Sequence, residues 1–322
     1  MQEVRLLYLS AGAVSRCLPD VDQQIELVRQ AFQALRSADA EMPPKVGVHP
    51  RPNALVEAMP AWWRSRDVVG IKWISAYPGN RRRGRDHVQG LVILNDADTG
   101  TPECVLDARQ ITAARTAAVS AFAIKSLLST ESGHKTALFG AGVQGRAHAI
   151  ALAALGLVTD LKIFDRNPAR ASAFVAWAES DLGLAGARAA ASAREALAGA
   201  ELLVTCASPG PQRQLLDHQA VADAELVVAI DDDVYVSAEV VESSGLFLVD
   251  DVQQFRAFRS NGSFTGFRDP EGSLADDFSG LVPTDQKPIV VVTLGIGMAD
   301  VLFASAVFEN ARSIGAGIEL ER

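Results

Sequence analysis

Thr136-Ala137-Leu138-Phe139-Gly140-Ala141-Gly142-Val143-Gln144-Gly145-Arg146 decides how this chain is read. A short apolar run, fit for a buried parallel strand, enters a G-x-G-x-x-G turn. Residues 147–157 are rich in alanine and leucine, as a following helix requires. Gly140 permits the tight turn, Gly142 lets a pyrophosphate approach the backbone, and Gly145 lets the helix pack on the strand. The helix N-terminus, opened by Val143 and Gln144, offers N–H groups and a partial positive charge to phosphates. Gly140, Gly142, Val143 and Gln144 are therefore candidate cofactor contacts.

The context supports a dinucleotide site. Leu161-Lys162-Ile163-Phe164-Asp165 reads as a second strand ending in an acid, near the spacing of about 20 residues at which a carboxylate takes the adenosine ribose hydroxyls. A carboxylate there repels a 2′-phosphate, so Asp165 favours NAD. Arg166 and Arg170 follow at once and could hold that phosphate, so NADP stays open. A glycine-rich turn in an α/β sheet with no ligand is the competing reading.

A chain of 322 residues suits two domains, and 48% hydrophobic content supports sizeable cores. The net charge of −9 argues against a nucleic-acid surface. Cys17, Cys104 and Cys206 show no metal or redox spacing, and no metal site is expected. The first ten residues lack a cationic lead and a long apolar stretch, and no run approaches the ~20 residues of a membrane span. The expected setting is cytoplasmic, with a small molecule as partner and neither nucleic acid nor membrane.

Residues 20–37 carry a helical apolar period. After Pro43-Pro44, residues 46–51, 55–63, 68–77, 91–95 and 104–106 read as strands divided by turn residues. An alanine-rich helix is expected over 112–128. Strands at 136–139, 161–164, 201–206, 225–230, 246–249 and 289–293 then alternate with helices near 145–156, 168–182, 193–199, 237–244 and 252–259. Such alternation makes a parallel, doubly wound sheet. A last helix at 299–314, with no strand after it, is expected to pack back onto the N-terminal part. The fold class is α/β: a Rossmann doubly wound parallel sheet inserted in a discontinuous α+β domain. Residues 1–117 with 300–322 would form the discontinuous domain, and 118–299 the NAD(P)-binding domain.

Several segments resemble the ornithine cyclodeaminase/mu-crystallin family. They are Met59-Pro60-Ala61, Gly70-Ile71-Lys72-Trp73, Pro78-Gly79-Asn80, Leu94-Asn95-Asp96 with Thr99-Gly100, Thr112-Ala113-Ala114-Arg115-Thr116-Ala117-Ala118, the glycine turn, and Gly295 with Asp300. The resemblance spans about residues 40 to 315. It implies one of a set of activities: ornithine or lysine cyclodeaminase, archaeal-type alanine dehydrogenase, ketimine reductase, or dehydrogenase of siderophore-precursor amino acids. It also implies a homodimer, with residues 1–117 and 300–322 as the substrate-binding and dimerisation domain.

An enzyme acting at the Cα–N bond must hold the α-carboxylate, place Cα against the nicotinamide, and move a proton at nitrogen. Arg115 matches the family's carboxylate clamp, and guanidinium grips a carboxylate in a planar fork. A helix-end salt bridge is its competing role. Lys72 matches the second carboxylate contact and counts among the catalytic candidates; a snorkelling surface lysine is the alternative. Lys45 stands where many members carry arginine, keeping the charge and losing the fork. Glu57 matches a substrate-contacting position of cyclodeaminases and could equally be a salt-bridge partner. Met59 would form a pocket wall. Thr112 either bonds a cofactor phosphate or caps its helix.

The family pattern puts its catalytic aspartate six residues before a glutamate; Glu239 then selects Asp233, with Asp231 and Asp232 as alternatives. Adjacent carboxylates raise one another's pKa, which suits proton delivery to an imine. Many members continue Gly-Pro-Gly-Lys, but this chain has Val234-Tyr235-Val236-Ser237, so an altered side-chain pocket is expected. Arg81-Arg82-Arg83-Gly84-Arg85 reads as a solvated loop or as a lid for an acidic substrate. His87 has no partner readable from sequence.

The leading expectation is an NAD(P)-dependent oxidoreductase moving hydride between nicotinamide and Cα of a small amino acid or its imine. The alternative is a cyclodeaminase, a lyase that recycles NAD and releases ammonia. A nucleotide-binding protein without turnover is the third reading.

Overall fold

The computed structural model describes residues 5–129, 131–208, 212–277 and 287–321. The chain divides into two compact units, Met1–Arg115 with Gly295–Arg322, and Thr116–Leu294. Chain order in the first unit is β1 (Arg5–Leu9), α1 (Ala11–Cys17), α2 (Val21–Arg36), β2 (Ala40–Glu41), β3 (Val46–Arg51), β4 (Ala54–Trp63), β5 (Val68–Ala76), β6 (Val88–Asn95) and β7 (Pro102–Asp107). Helix α3 (Ala108–Leu127) contains the division point. The second unit continues with β8 (His134–Phe139), α4 (Val143–Leu155), β9 (Val158–Phe164), α5 (Pro168–Leu182), β10 (Arg188–Ala189), α6 (Ala193–Leu197), β11 (Leu202–Thr205) and β12 (Leu226–Ala229). Next come α7 (Ala238–Ser243), β13 (Leu246–Val249), α8 (Val252–Ser260), β14 (Gly272–Ser273) and β15 (Ile289–Val292). Helix α9 (Gly297–Ile314) and β16 (Ile318–Glu321) complete the first unit.

In the second unit eight strands run in the order β10-β9-β8-β11-β12-β15-β13-β14, and every neighbouring pair is parallel. Strands β11, β12, β13 and β15 are buried at every position, as apolar runs covered on both faces must be. The chain leaves β8 toward β9 and β10, then returns to β11 on the other side of β8. Strand order reverses between β8 and β11, and ligands of such sheets bind at the carboxyl ends beside that reversal. Phe139 at the end of β8 packs edge-on against Phe164 and Tyr235.

The first unit is a second eight-stranded sheet, β16-β1-β7-β6-β5-β4-β2 with β3 also on β4, antiparallel except where β1 meets β7. Helix α9 packs on β4, β5 and β6, and its residues from Gly297 to Ala304 are all buried. Trp73 lies opposite Ala58 and Leu91, while Val46 and Val48 lie opposite Ala58 and Val56, so these side chains share one sheet face. Val46, Val48, Trp73 and Leu91 are exposed.

Three expectations need correction. The last helix is followed by a strand, β16, which pairs antiparallel with β1. Helix α3 starts at Ala108, so Thr112 lies a turn inside it and does not cap it. The Asp107 carboxylate instead accepts from the Arg109 N–H at 2.9 Å, at the junction where β7 runs directly into α3. Tyr235 belongs to the core of the second unit, so the aromatic packs inward and the expected change of pocket rests on the absent lysine alone. Among the described residues no helix is long and apolar enough to cross a membrane.

His148 on α4 is fully satisfied inside the second unit. Its Nδ1–H donates to the Gln144 carbonyl at 2.7 Å, and its Nε2 accepts from the Ser120 hydroxyl at 2.9 Å. Burial pulls its pKa down to about 4, because an imidazolium there would lose its hydration.

Candidate active site

The candidate residues form two groups, one in each unit. In the first unit, Lys72 of β5, Arg115 of α3 and Asp300 of α9 form a buried charge cluster. Lys72 Nζ is 2.6 Å from Asp300 Oδ2, and Arg115 Nε donates to Asp300 Oδ1 at 3.0 Å. The three side chains are 1%, 7% and 0% exposed. Strand alternation turns Lys72 inward toward α9 while its neighbour Trp73 faces out, so the snorkelling alternative fails. The competing salt-bridge role of Arg115 is present, but inside the unit and not at a helix end. Gly295 makes room for it: at φ +90° it has no Cβ, and one there would stand 2.5 Å from Arg115 Nη1.

Two cations on one carboxylate leave a net positive charge when Lys72 is protonated. A buried charge is costly unless paired. Burial and then Arg115 pull the Lys72 pKa down to about 7, against the opposing pull of Asp300. The cluster is therefore poised to accept one anion.

Nearby positions are less committed. Lys45 Nζ is 3.8 Å from Glu57 Oε2, and both side chains are largely covered. Met59 is buried and pairs directly with Lys72 across β4 and β5. Thr112 lies one turn before Arg115 and is half-buried. The basic run begins inside the 3-10 turn Pro78–Arg83; Arg82, Arg83 and Arg85 are exposed, and the side chain of Arg81 lies outside the described residues. His87 uses its carbonyl to accept from the Tyr77 N–H at 2.8 Å.

In the second unit the glycine turn has the geometry a pyrophosphate needs. Gly140 sits at φ +107°. A Cβ on Gly145 would stand 1.9 Å from the Gly140 carbonyl oxygen, so the helix can approach the strand only without one. A Cβ on Gly142 would meet nothing within 4 Å, and no side chain caps α4 among the described residues. Val143 is 71% exposed at the start of that helix, and Gln144 is the next helical residue. The start of α4 is thus the kind of helix N-terminus at which phosphates are held. Asp165 Oδ2 accepts from the Ala141 N–H and Oδ1 from the Asn167 N–H, each at 2.9 Å, which fixes the carboxylate beside the turn. Arg166 and Arg170 are exposed.

The three acids after β12 differ. Asp231 is buried, and its carboxylate accepts from Thr205 Oγ1 at 2.7 Å and from the Ala207 N–H at 3.1 Å. Burial, with a smaller push from Asp232, raises its pKa to about 7. Asp232 takes a positive φ of 57° and is partly exposed. Asp233 accepts from the Phe264 N–H at 3.1 Å and lies 3.4 Å from Arg213 Nη1. Thr293, one residue past β15, has a buried Oγ1 with no hydrogen-bond partner among the described residues. It stands at the carboxyl end of the sheet, where an orphaned hydroxyl suits a ligand. Sequence reasoning missed Thr293, Thr205 and Arg213; a hydroxyl at the end of an apolar run was the signal for the first two.

Asp231 and His148 oppose each other in acid. The raised Asp231 pKa contributes stability that is full below 3.8 and is lost as pH rises through about 7. The depressed His148 pKa contributes stability present above 6.5 and lost as pH falls toward 4. Between roughly pH 7 and 5 the two nearly cancel. Asp231→Asn unmasks the histidine, and its unfolding free energy should drop about 2 kcal/mol further between those pH values than that of the wild type. Parallel urea melts measure the difference; identical pH slopes would contradict the buried states of both groups.

The family model for "Ornithine cyclodeaminase/mu-crystallin family" matches residues 10–315. The chain belongs to the ornithine cyclodeaminase/mu-crystallin family. Within the family it is similar to the nodulation efficiency protein NfeD of Rhizobium meliloti, 34% identical over 284 residues, 86% of each chain. It resembles the solved structure of Thermococcus litoralis Delta(1)-pyrroline-2-carboxylate reductase in complex with NADH and L-proline, with TM-score 0.86, 22% identity, and 98% and 100% of the two chains covered. It also resembles an archaeal alanine dehydrogenase dimer with bound NAD, with TM-score 0.84, 26% identity, and 98% and 99% covered.

Proposed function

We propose that this member of the ornithine cyclodeaminase/mu-crystallin family is an NAD(P)-dependent oxidoreductase acting at the Cα–N bond of a small amino acid or its imine. The observation that carries the reading is the buried Lys72–Asp300–Arg115 cluster, with one positive charge in excess, the complement of an α-carboxylate. Arg115 grips that carboxylate through its fork and Lys72 adds a point charge. Lys72, with a pKa near 7, is also able to change protonation state at neutral pH. Met59 walls the site. Asp233 exchanges the proton at the substrate nitrogen, with Asp231 as its alternative. The second unit binds the cofactor through Gly140, Gly142, Val143, Gln144 and Asp165, and Asp165 favours NAD over NADP. Bound NAD(H) supplies the hydride chemistry. Arg166 is the residue to watch for NADP use, and Thr112 is a candidate phosphate contact.

The pairing of Glu57 with Lys45 weighs against the cyclodeaminase alternative. A distal ammonium needs an uncompensated acid, and here the Glu57 charge is already met. Similarity to an archaeal alanine dehydrogenase supports the same choice, whereas bound NAD by itself suits either activity.

The deciding experiment is a spectrophotometric screen of amino acids and cyclic imines with NAD and NADP, with ammonia measured in parallel. Absorbance at 340 nm changing in proportion to substrate supports the oxidoreductase. Ammonia release with catalytic NAD and no net absorbance change means the cyclodeaminase. Tight NADH binding without any turnover means a binding protein.

The working form is a cytoplasmic homodimer. Its interface is the open apolar face carrying Val46, Val48, Trp73 and Leu91, since exposed apolar area of this kind marks an interaction surface. Trp73→Glu should shift the protein from dimer to monomer in size-exclusion chromatography with light scattering; an unchanged mass would move the interface elsewhere.

A further inference from the structure

We infer that Asp300 is a positioning residue, which presents Lys72 and Arg115 as one two-pronged receptor for the substrate carboxylate. The inference rests on the functional reading above. Asp300 has no exposure at all, and it lies in a stretch of α9 buried on every side. Each of its oxygens meets one cation, Oδ2 the Lys72 ammonium and Oδ1 the Arg115 Nε. The two cations come from different elements, a strand and a helix far apart in sequence, and the carboxylate of a third element sets their spacing. Because Arg115 meets Asp300 through Nε, its terminal nitrogens are not the ones tied to the carboxylate. They lie against Gly295, whose missing side chain leaves them room.

The charges around Lys72 decide what Asp300 does beyond spacing. Asp300 faces it from α9, Arg115 from α3, and Lys45 adds a further positive influence. Glu57 on β4 is paired with Lys45, and the cross-strand neighbours of Lys72 are Met59 and Val92. Asp300 is thus the only carboxylate bonded to Lys72 among the described residues. An amide in its place would still accept from Arg115 but would turn an NH₂ donor toward the ammonium. Two uncompensated cations cannot both stay charged in a buried site, so the lysine would give up its proton. The receptor would keep one prong.

The test measures KM and kcat from pH 6 to 9 for the substrate returned by the screen, using the full-length wild type, Asp300→Asn and Asp300→Glu. NADH affinity and Tm are followed alongside. For Asp300→Asn, KM at pH 6 to 7, where the wild-type lysine keeps much of its proton, should rise about 10-fold, the gap should narrow toward pH 9 as wild-type Lys72 loses its proton as well, and NADH affinity should not move. Asp300→Glu keeps the charge and lengthens the arm, so KM should rise with the wild-type pH dependence. If Asp300→Asn does not fold, the glutamate variant carries the test, and a wild-type KM in it overturns the inference. So does an Asp300→Asn variant whose KM is lowered, unchanged, or raised equally at every pH, since a purely structural tie gives no pH-dependent gap. Arg115→Ala separates the two levels. If it leaves KM unchanged, the carboxylate-binding reading itself fails; if it raises KM while the Asp300 variants do not, only the present inference fails.

Discussion

Replacing Arg115 by alanine should raise KM for the amino or imino acid by about 10²–10³, the loss expected when one partner of a buried, charge-assisted contact is removed. The affinity for NADH should stay within about a factor of two, because the glycine turn and Asp165 belong to the other unit. The variant should still fold. Asp300 keeps Lys72 as its counter-ion at 2.6 Å, so no carboxylate is left buried and unpaired. Initial-rate kinetics and NADH fluorescence titration on one preparation give both quantities. A parallel collapse of cofactor binding would show that Arg115 supports the nucleotide and not the carboxylate.

Asp233→Asn should cut kcat by about 10²–10⁴ while changing KM little, the effect of removing a positioned general acid or base. The substitution is nearly isosteric. An asparagine oxygen can still accept the Phe264 N–H that holds the carboxylate now, so the loop should keep its path. Single-turnover absorbance changes at 340 nm isolate the step. Near-normal turnover would transfer the role to Asp231. That residue has its own qualification, since a carboxyl with a pKa near 7 matches the demand on a proton donor at neutral pH.

Much of the second unit was legible in the sequence because its signals are local. Helix α5 begins after Asn167, whose side chain caps it, starts on Pro168, and ends at Gly183 in the left-handed region. All three residues can be read off the chain. The buried parallel strands are short, unbroken apolar runs, and β13 is Leu-Phe-Leu-Val without a polar interruption. Elsewhere the decisive contacts are distant. Strand β16, Ile-Glu-Leu-Glu, is exposed along its length and exists by pairing with β1 at the opposite end of the chain. The two-residue strands β2, β10 and β14 are too short to show a period. The start of α3 was missed because no glycine or proline separates it from β7.

The site divides in the same way. Arg115, Lys72 and Asp233 are single residues in recognisable local patterns. Asp300 belongs to one of the resembling segments, but its role of joining the first two was not legible, because it sits 185 positions beyond Arg115. The spacing to Glu239 selects Asp233, but no pattern shows how differently Asp231 and Asp233 are held. Their difference comes from what covers them: a hydroxyl and an amide from the β11 end for one, a backbone N–H and an arginine for the other.

The surplus cation beneath α9 also bears on how the enzyme must be handled. Acetate, formate and similar small buffer ions match the carboxylate end of an amino acid, and on the proposed reading they compete for the same cluster. Rates gathered in such media understate true affinity, and amine-based buffers with chloride as the counter-ion give the cleaner baseline.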